Sequence, residues 1–209
     1  MKFLYPAIFI LGITVNSAAQ ENNIKSSKEP KSSFELKING KIYLIKEEEE
    51  LKLDTILSNP SISIKLSDFK KFDNSHISFQ YQRHLSFEYE EDEGYKNWTL
   101  SGNNIVVLMF EFDVDVPFSE FIGEMVTKFG KENSSVVDFK KQLGGKDFNG
   151  KKLSVSIAGQ KLDLDFYEIK LGDNKSRYIE FQNTLDDNNS SSEEYLTVFN
   201  KINSTIVFK

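Results

Sequence analysis

The sequence predicts an α+β fold in which helices pack on an antiparallel β-sheet, preceded by an N-terminal β-hairpin. Residues 105–112 are almost continuously apolar, the pattern of a strand covered on both faces. Apolar residues then recur at helical spacing, and Gly130 stands where such a helix would end. These helical positions are Phe118, Phe121, Ile122, Met125 and Phe129. Most other apolar residues alternate with polar ones, as in half-buried strands.

The first 19 residues have the pattern of a signal peptide. Lys2 precedes an apolar run over residues 3–15, and the small residues Ser17, Ala18 and Ala19 form a cleavage site. The apolar run is shorter than the roughly 20 residues that a membrane-spanning helix requires, which favours a signal peptide over an anchor. We therefore predict export, with cleavage after Ala19 and a periplasmic or secreted location.

Composition excludes several classes of protein. Without Lys2 the chain has 25 basic residues against 32 acidic ones, a net charge of −7 that argues against nucleic acid as a partner. The chain has no cysteine, so disulfides, thiolate metal sites and a lipid-modified cysteine are excluded. Its 39% hydrophobic and 13% aromatic content indicates a folded, Phe-rich core. An exported bacterial protein with no stable membrane span fits these features.

Residues 20–33 are predicted to form a flexible leader. They are polar apart from Ile24 and cannot bury enough surface to offset the entropy of ordering. From Phe34 onward, apolar residues alternate on both sides of Asn39-Gly40. Both residues accept the positive φ of a two-residue turn, so the pattern predicts a hairpin.

The hairpin belongs to a predicted N-terminal β appendage over residues 34–66. Residues 61–66 alternate again as a third strand. A domain boundary is predicted in residues 67–75, where polar residues surround only two phenylalanines, so residues 75–209 form the main α+β domain. Whether the appendage joins the main sheet is left open.

Alternating residues predict a meander at the start of the main domain. Strands are expected over 77–82, over 85–89 and around Trp98, with an acidic turn at 90–94 before the central strand.

After the first helix, Val136, Phe139 and Leu143 predict a short second helix that Gly144-Gly145 ends. Three further strands follow over 153–157, 162–169 and 178–181. Ser191 and Glu194 form a predicted capping box for the last helix, and residues 204–208 a final short strand.

The segment from Gly145 to Lys151 matches a phosphate-binding loop only as far as its lysine. Lys152 stands where a serine or threonine must reach Mg²⁺, and the predicted order of helix and strand is reversed. We interpret the segment as a helix-to-strand connection.

No residue pattern predicts catalysis, a cofactor or a metal site. His76 and His84 are the two histidines, and neither belongs to a known catalytic motif. Asp163 and Asp165 alternate with apolar residues and are interpreted as the solvent face of a strand. The loop at 186–189 lacks the glycine and glutamate of a calcium-binding EF-hand, and we expect a solvated loop there.

Three aromatic residues are candidates for ligand binding. Tyr89, Tyr95 and Trp98 lie close together in the sequence and can form a groove that stacks on a sugar or an aromatic ligand. Large aromatic residues in a meander are more often part of the core, so the pattern favours the core.

The order of elements over residues 75–209 resembles the PsbP-like fold. The resemblance depends on the F-x-Y alternation of Phe79 and Tyr81, the Trp98 strand, the apolar strand at 105–112, the following helix and a late helix that runs into a short strand. It implies an α/β/α sandwich on an antiparallel sheet. Members are mostly non-enzymatic, including extrinsic photosystem II subunits, Ran-binding relatives and exported bacterial proteins. No functional residue can be matched one by one.

These features favour an exported, non-catalytic binding or accessory module of the bacterial cell envelope, with an unknown protein or small ligand as its partner. One alternative is a periplasmic or secreted hydrolase whose site is assembled from distant acidic and histidine residues. Another is an envelope or adhesion protein that requires a cation.

Overall fold

The computed structural model describes residues 28–54 and 56–209. The predicted signal peptide and most of the predicted leader lie outside the described residues, which form three antiparallel sheets and two α-helices. The α+β prediction is confirmed. No helix among these residues has the length and apolar character needed to cross a membrane.

The seven-stranded sheet is the centre of the structure, with strand order β6-β7-β8-β12-β11-β10-β9. Its strands are β6 (Ser86–Asp92), β7 (Tyr95–Ser101), β8 (Ile105–Phe112), β9 (Ser134–Leu143), β10 (Lys146–Ile157), β11 (Gln160–Glu168) and β12 (Ser176–Thr184). A small sheet has the order β13-β5-β4, from β4 (Phe69–Asp73), β5 (Ile77–Gln82) and β13 (Val207–Phe208). The helices are α1 (Phe118–Phe129) and α2 (Glu193–Thr205).

Strand β8 is buried on both faces, as predicted. Val107 and Met109 belong to one hydrophobic cluster, whereas Leu108 and Phe110 belong to a second cluster on the opposite face of the sheet. Side chains alternate across a strand, so two separate covers are needed to keep these residues from water.

Helix α1 covers the second cluster, and its predicted bounds are confirmed. The Phe121 ring stacks on Tyr178 with 4.4 Å between centroids and meets Phe110 edge-on at 5.2 Å. The helix ends at Gly130, whose φ of 89° is unfavourable for a residue with a Cβ.

Helix α2 and the small sheet share the other face. Val198 and Ile202 of α2 join Phe72 and Phe79 of the small sheet in the cluster that contains Met109. This face is therefore covered by a helix and a sheet side by side.

The predicted capping box of α2 is wrong by one residue. Ser192 is the N-cap, and its hydroxyl accepts a hydrogen bond from the Tyr195 N–H. The Glu194 carboxylate instead accepts the backbone N–H groups of Asn103 and Asn104. The helix also continues to Thr205, which shortens the predicted final strand to Val207–Phe208.

The predicted short helix after α1 is wrong. Residues 134–143 form β9, a ten-residue edge strand that pairs with β10 along its whole length. Gly144 and Gly145 both have positive φ and make the turn of a long hairpin. After this turn, residues 146–151 are the start of β10, so the expected helix-to-strand connection is wrong.

The predicted boundary at 67–75 contains strand β4. Phe72 is buried, with its ring centroid 5.0 Å from that of Phe79 on β5, so a segment with only two apolar side chains still contributes to the core. The acidic residues from Glu90 to Asp92 belong to β6, and the expected acidic turn is reduced to Glu93 and Gly94.

The N-terminal hairpin is confirmed and belongs to a separate sheet. Strands β1 (Ser33–Ile38) and β2 (Lys41–Lys46) are joined by Asn39 and Gly40, both with positive φ. Strand β3 (Ile62–Leu66) pairs with the other edge of β1, and the three strands form a sheet of their own.

Glu180 is a fully buried acid beneath α1. It lies on β12 between Leu108 and Phe166 on the neighbouring strands, and neither carboxylate oxygen has a hydrogen-bond partner among the described residues. Burial raises the pKa of Glu180 to about 8, and the Lys128 ammonium only partly opposes this effect.

Replacing Phe121 by aspartate is expected to lower the free energy of unfolding by several kcal/mol. The substitution removes apolar burial worth about 1.5–3 kcal/mol and places an unpaired charge against Tyr178. Urea unfolding measures the loss, with Ser119→Asp on the exposed side of α1 as the control. Equal stability of the two variants would show that α1 does not cover the sheet.

Replacing Glu180 by methionine is expected to stabilise the protein increasingly as pH rises from about 4.5 to 8. In this range the unfolded chain releases the Glu180 proton while the folded chain retains it, so the wild type loses stability. We expect the difference between the two proteins to grow by roughly 3 kcal/mol between pH 5 and 8. Urea unfolding across this range is the measurement. Glu120→Met, on exposed α1 surface, is the control, and an unchanged difference would contradict the assignment.

Candidate functional site

An open recess of about 350 Å³ lies where β6, β7 and β8 approach the turn between β4 and β5. We call it the Trp98 recess. Its lining consists of three aromatic residues, a polar turn, four charged side chains and one proline. These residues are Phe72, Tyr89, Trp98, Asn74, Ser75, Lys28, Asp73, Lys96, Glu111 and Pro30.

Two of the three predicted ligand-binding residues meet in this recess. Tyr89 and Trp98 are direct cross-strand partners on β6 and β7, with 5.5 Å between their ring centroids. Phe72 approaches Trp98 edge-on at 5.9 Å from the opposite side. Trp98 is only partly buried, so its ring is accessible from the recess.

Tyr95 does not reach the Trp98 recess. It lies three residues before Trp98 on β7, and its side chain therefore points to the other face of the sheet. There it belongs to the cluster under α1, with 6.4 Å between its ring centroid and that of Phe112. A groove formed by all three predicted residues is excluded by this geometry.

Glu111 is the buried acid of the Trp98 recess. It lies near the end of β8 directly opposite Arg177 of β12, whose Nε donates a hydrogen bond to Glu111 Oε2 at 3.2 Å. Nε2 of His76 lies 2.8 Å from the same oxygen, and Nζ of Lys175 lies 3.9 Å from the other. Three basic side chains therefore surround this buried carboxyl group.

Arg177 links this carboxylate to a second acid. Its side chain is 4% exposed, and its two terminal nitrogens each donate a hydrogen bond of 2.8 Å to the Asp173 carboxylate. The bidentate geometry holds the guanidinium plane in place. Hydrogen bonding from Arg177 is the largest cause that lowers the pKa of Asp173 to about 2.

His76 is held by the turn that precedes β5. The Asn74 side-chain oxygen accepts the backbone N–H groups of His76 and Ile77, both at 2.8 Å. The His76 carbonyl accepts the N–H of Lys209. Neither histidine side chain hydrogen-bonds a serine or threonine hydroxyl in the part of the chain that the structure describes. His84, 59% exposed, lies 3.5 Å from Glu194 and away from the Trp98 recess.

Lys28, the first residue that the structure describes, lies against the Trp98 recess. Nζ of Lys28 is 3.9 Å from the centroid of the Tyr89 ring, and it donates hydrogen bonds to the Tyr89 hydroxyl at 2.8 Å and to Glu91 at 3.0 Å. The Tyr89 hydroxyl in turn donates to Glu91 at 2.6 Å, and Lys96 lies 3.3 Å from that carboxylate. Hydrogen bonds from Tyr89, then Lys28 and Lys96, lower the pKa of Glu91 to about 2.

The prediction that Asp165 lies on the solvent face of its strand is wrong. It is buried, because Lys141 of β9 and Lys152 of β10 reach across it at 2.5 and 3.8 Å. Asp163 is partly exposed and pairs with Lys152 at 2.8 Å. The long hairpin that supplies both lysines was not predicted, so neither was this pairing.

The acidic loop at 186–189 uses its first carboxylate to form a turn. Asp186 Oδ1 accepts the N–H groups of Asn188 and Ser190, at 2.9 and 2.8 Å. Across residues 28–54 and 56–209, no three His, Asp or Glu side chains are grouped closely enough to hold a metal ion.

Comparison with models of known protein families finds no match, and comparison with curated proteins finds none either. Sequence reasoning missed Glu111 and Lys28 as lining residues of this recess, and His76 as a partner of Glu111. The available signal was Glu111, a charged residue inside an otherwise apolar, doubly buried strand.

Replacing Glu111 by alanine is expected to cost about 3 kcal/mol of unfolding free energy, because among the described residues it leaves the buried Arg177 with only Asp173 as a charged partner. Asp113→Ala is the matched control. Asp113 lies two residues further along, is exposed and pairs with Lys175, so its loss should cost at most about 0.5 kcal/mol. Equally small losses in urea unfolding would show that Glu111 is not a required partner of Arg177.

Proposed function

We propose that the protein is an exported, non-catalytic binding or accessory module of the bacterial cell envelope, with the Trp98 recess as its ligand site. The observation that carries the proposal is the pairing of Trp98 and Tyr89 at an open recess beside charged groups. Aromatic walls with a few fixed polar groups are typical of small-ligand sites. Trp98 is the single tryptophan of the chain, so the one indole side chain of the protein lies at this recess.

Export and fold type belong to the same proposal. The charged start, apolar run and small residues of 1–19 support export of the chain. A PsbP-like sandwich is supported by the order of the Trp98 strand, the doubly buried β8, helix α1 and a late helix that leads into a short strand. Such a module would associate with an envelope protein or a small ligand without itself spanning the membrane.

A hydrolase is the second candidate, and the contact between His76 and Glu111 favours it. A carboxylate that holds an imidazole beside a recess is part of many hydrolytic sites. Ser75 also lines the recess, yet no hydroxyl hydrogen-bonds His76 within the described ranges. Turnover of a chromogenic ester or phosphate that His76→Ala abolishes would favour the hydrolase over the binding module.

Ligand binding is expected to be visible at the Trp98 indole N–H, which gives one resonance in a ¹H–¹⁵N spectrum because the chain has one tryptophan. A set of small saccharides, amines and aromatic acids should contain compounds that shift this resonance in a saturable manner. Trp98→Leu should weaken their binding at least tenfold, monitored at neighbouring backbone amides.

Val137→Ala is the control for this experiment. Val137 is exposed on β9, at the opposite edge of the seven-stranded sheet, so its substitution should leave binding unchanged. Compounds that bind Trp98→Leu as tightly as the wild type, or a full set that leaves the Trp98 resonance unmoved, would contradict the proposed site.

A further inference from the structure

We propose that the ligand of the Trp98 recess carries a primary ammonium group, and that Lys28 occupies the place of this group in the ligand-free protein. The inference rests on the proposed binding function and adds the chemical class of the ligand. It assigns Lys28 the role of an internal competitor.

Three contacts converge on the Lys28 ammonium. The face of the Tyr89 ring lies 3.9 Å away, the Tyr89 hydroxyl accepts one hydrogen bond and the Glu91 carboxylate accepts another. An aromatic face together with a carboxylate is the combination that proteins use to bind organic cations. An ammonium has three N–H donors and no acceptor, so these neighbours match its chemistry.

Lys28 itself is held weakly enough to be displaced. Its side chain is 48% exposed, and it lies five residues before β1, outside any strand of the three sheets. An exposed ion pair of this kind contributes little because the side chain loses entropy and solvent screens the charges. A free ligand that makes the same contacts without a chain attached can therefore compete with it.

The place that the Lys28 ammonium occupies favours the binding of a cationic ligand over an anionic one. Without Lys28, the Glu91 carboxylate would keep Lys96 as its basic neighbour, and the electron-rich face of Tyr89 would be open. At the deeper end of the recess, Glu111 is already surrounded by basic groups. An arriving carboxylate or phosphate would meet Glu91 directly, which is unfavourable.

Lys31 provides a matched control for Lys28 within the same short segment. It pairs with Glu48 and does not line the Trp98 recess. Lys28→Met and Lys31→Met remove the same charge from sites three residues apart and keep an unbranched side chain of similar length. Only the first change should affect the recess.

The test is a titration of the full mature chain with n-butylammonium chloride, 1-butanol and sodium butyrate, followed at the Trp98 indole resonance. Lys28→Met is expected to bind n-butylammonium about tenfold more tightly than the wild type, if Lys28 fills the site nine-tenths of the time. Lys31→Met should behave as the wild type. Adding Glu91→Gln to Lys28→Met should remove most of the gain.

Each other outcome overturns the inference in a distinct way. Equal affinity of wild type and Lys28→Met for n-butylammonium would show that Lys28 is no competitor. Butyrate or 1-butanol binding as tightly as n-butylammonium would reject the ammonium class but leave the recess as a ligand site. If none of the three probes moves the resonance in any variant, the ammonium inference fails. The proposed function fails with it only if the broader compound set also gives no shift.

Discussion

The rest of the structure depends on one strand, β8, that must be kept from water on both faces. Helix α1 covers one face, and α2 covers the other together with the small sheet. Strands β9 to β12 and α2 follow α1 in the chain, and β12 pairs with β8 to place that strand inside the sheet. Glu111 lies near the end of β8, on the face that α2 and the small sheet cover. At this position the face is lined by the open Trp98 recess. The candidate site thus arises where the requirement for full burial ends.

Two buried acids on this sheet, Glu111 and Glu180, differ in whether polar partners surround them. Glu111 contacts Arg177 and His76, so removing either partner disturbs a connected network. Glu180 has no hydrogen-bond partner among the described residues, and burial favours its neutral form. The network around Glu111 orders the wall of the recess, whereas Glu180 affects the stability of the α1 side and lies away from the site.

The sequence predicted those elements whose residues carry a signal within a short stretch of the chain. The run that forms β8, the spacing of α1 and the turn at Asn39-Gly40 each carry their own signal. The spacing of Val136 and Phe139 fits one face of a helix, but in β9 it places the two side chains on opposite faces of the strand. Only the pairing with β10, which joins residues distant in the sequence, decides in favour of the strand. The recess could not be predicted in this way, because the pairing of Tyr89 with Trp98 depends on the register of β6 against β7. The orientation of Tyr95 follows from the alternation of side chains along β7, a local signal that the predicted groove overlooked. The contact of Lys28 with Tyr89 joins residues 61 positions apart, for which the sequence contains no pattern.

The central claim is that the Lys28 ammonium lies against Tyr89 at a recess that is otherwise open. The most direct measurement is the nuclear Overhauser effect between the Lys28 Hε protons and the Tyr89 ring protons in the full chain. The distance of 3.9 Å between Nζ and the ring centroid predicts a clear cross-peak, which n-butylammonium should weaken as it displaces Lys28. Absence of the cross-peak in the ligand-free protein would contradict the account.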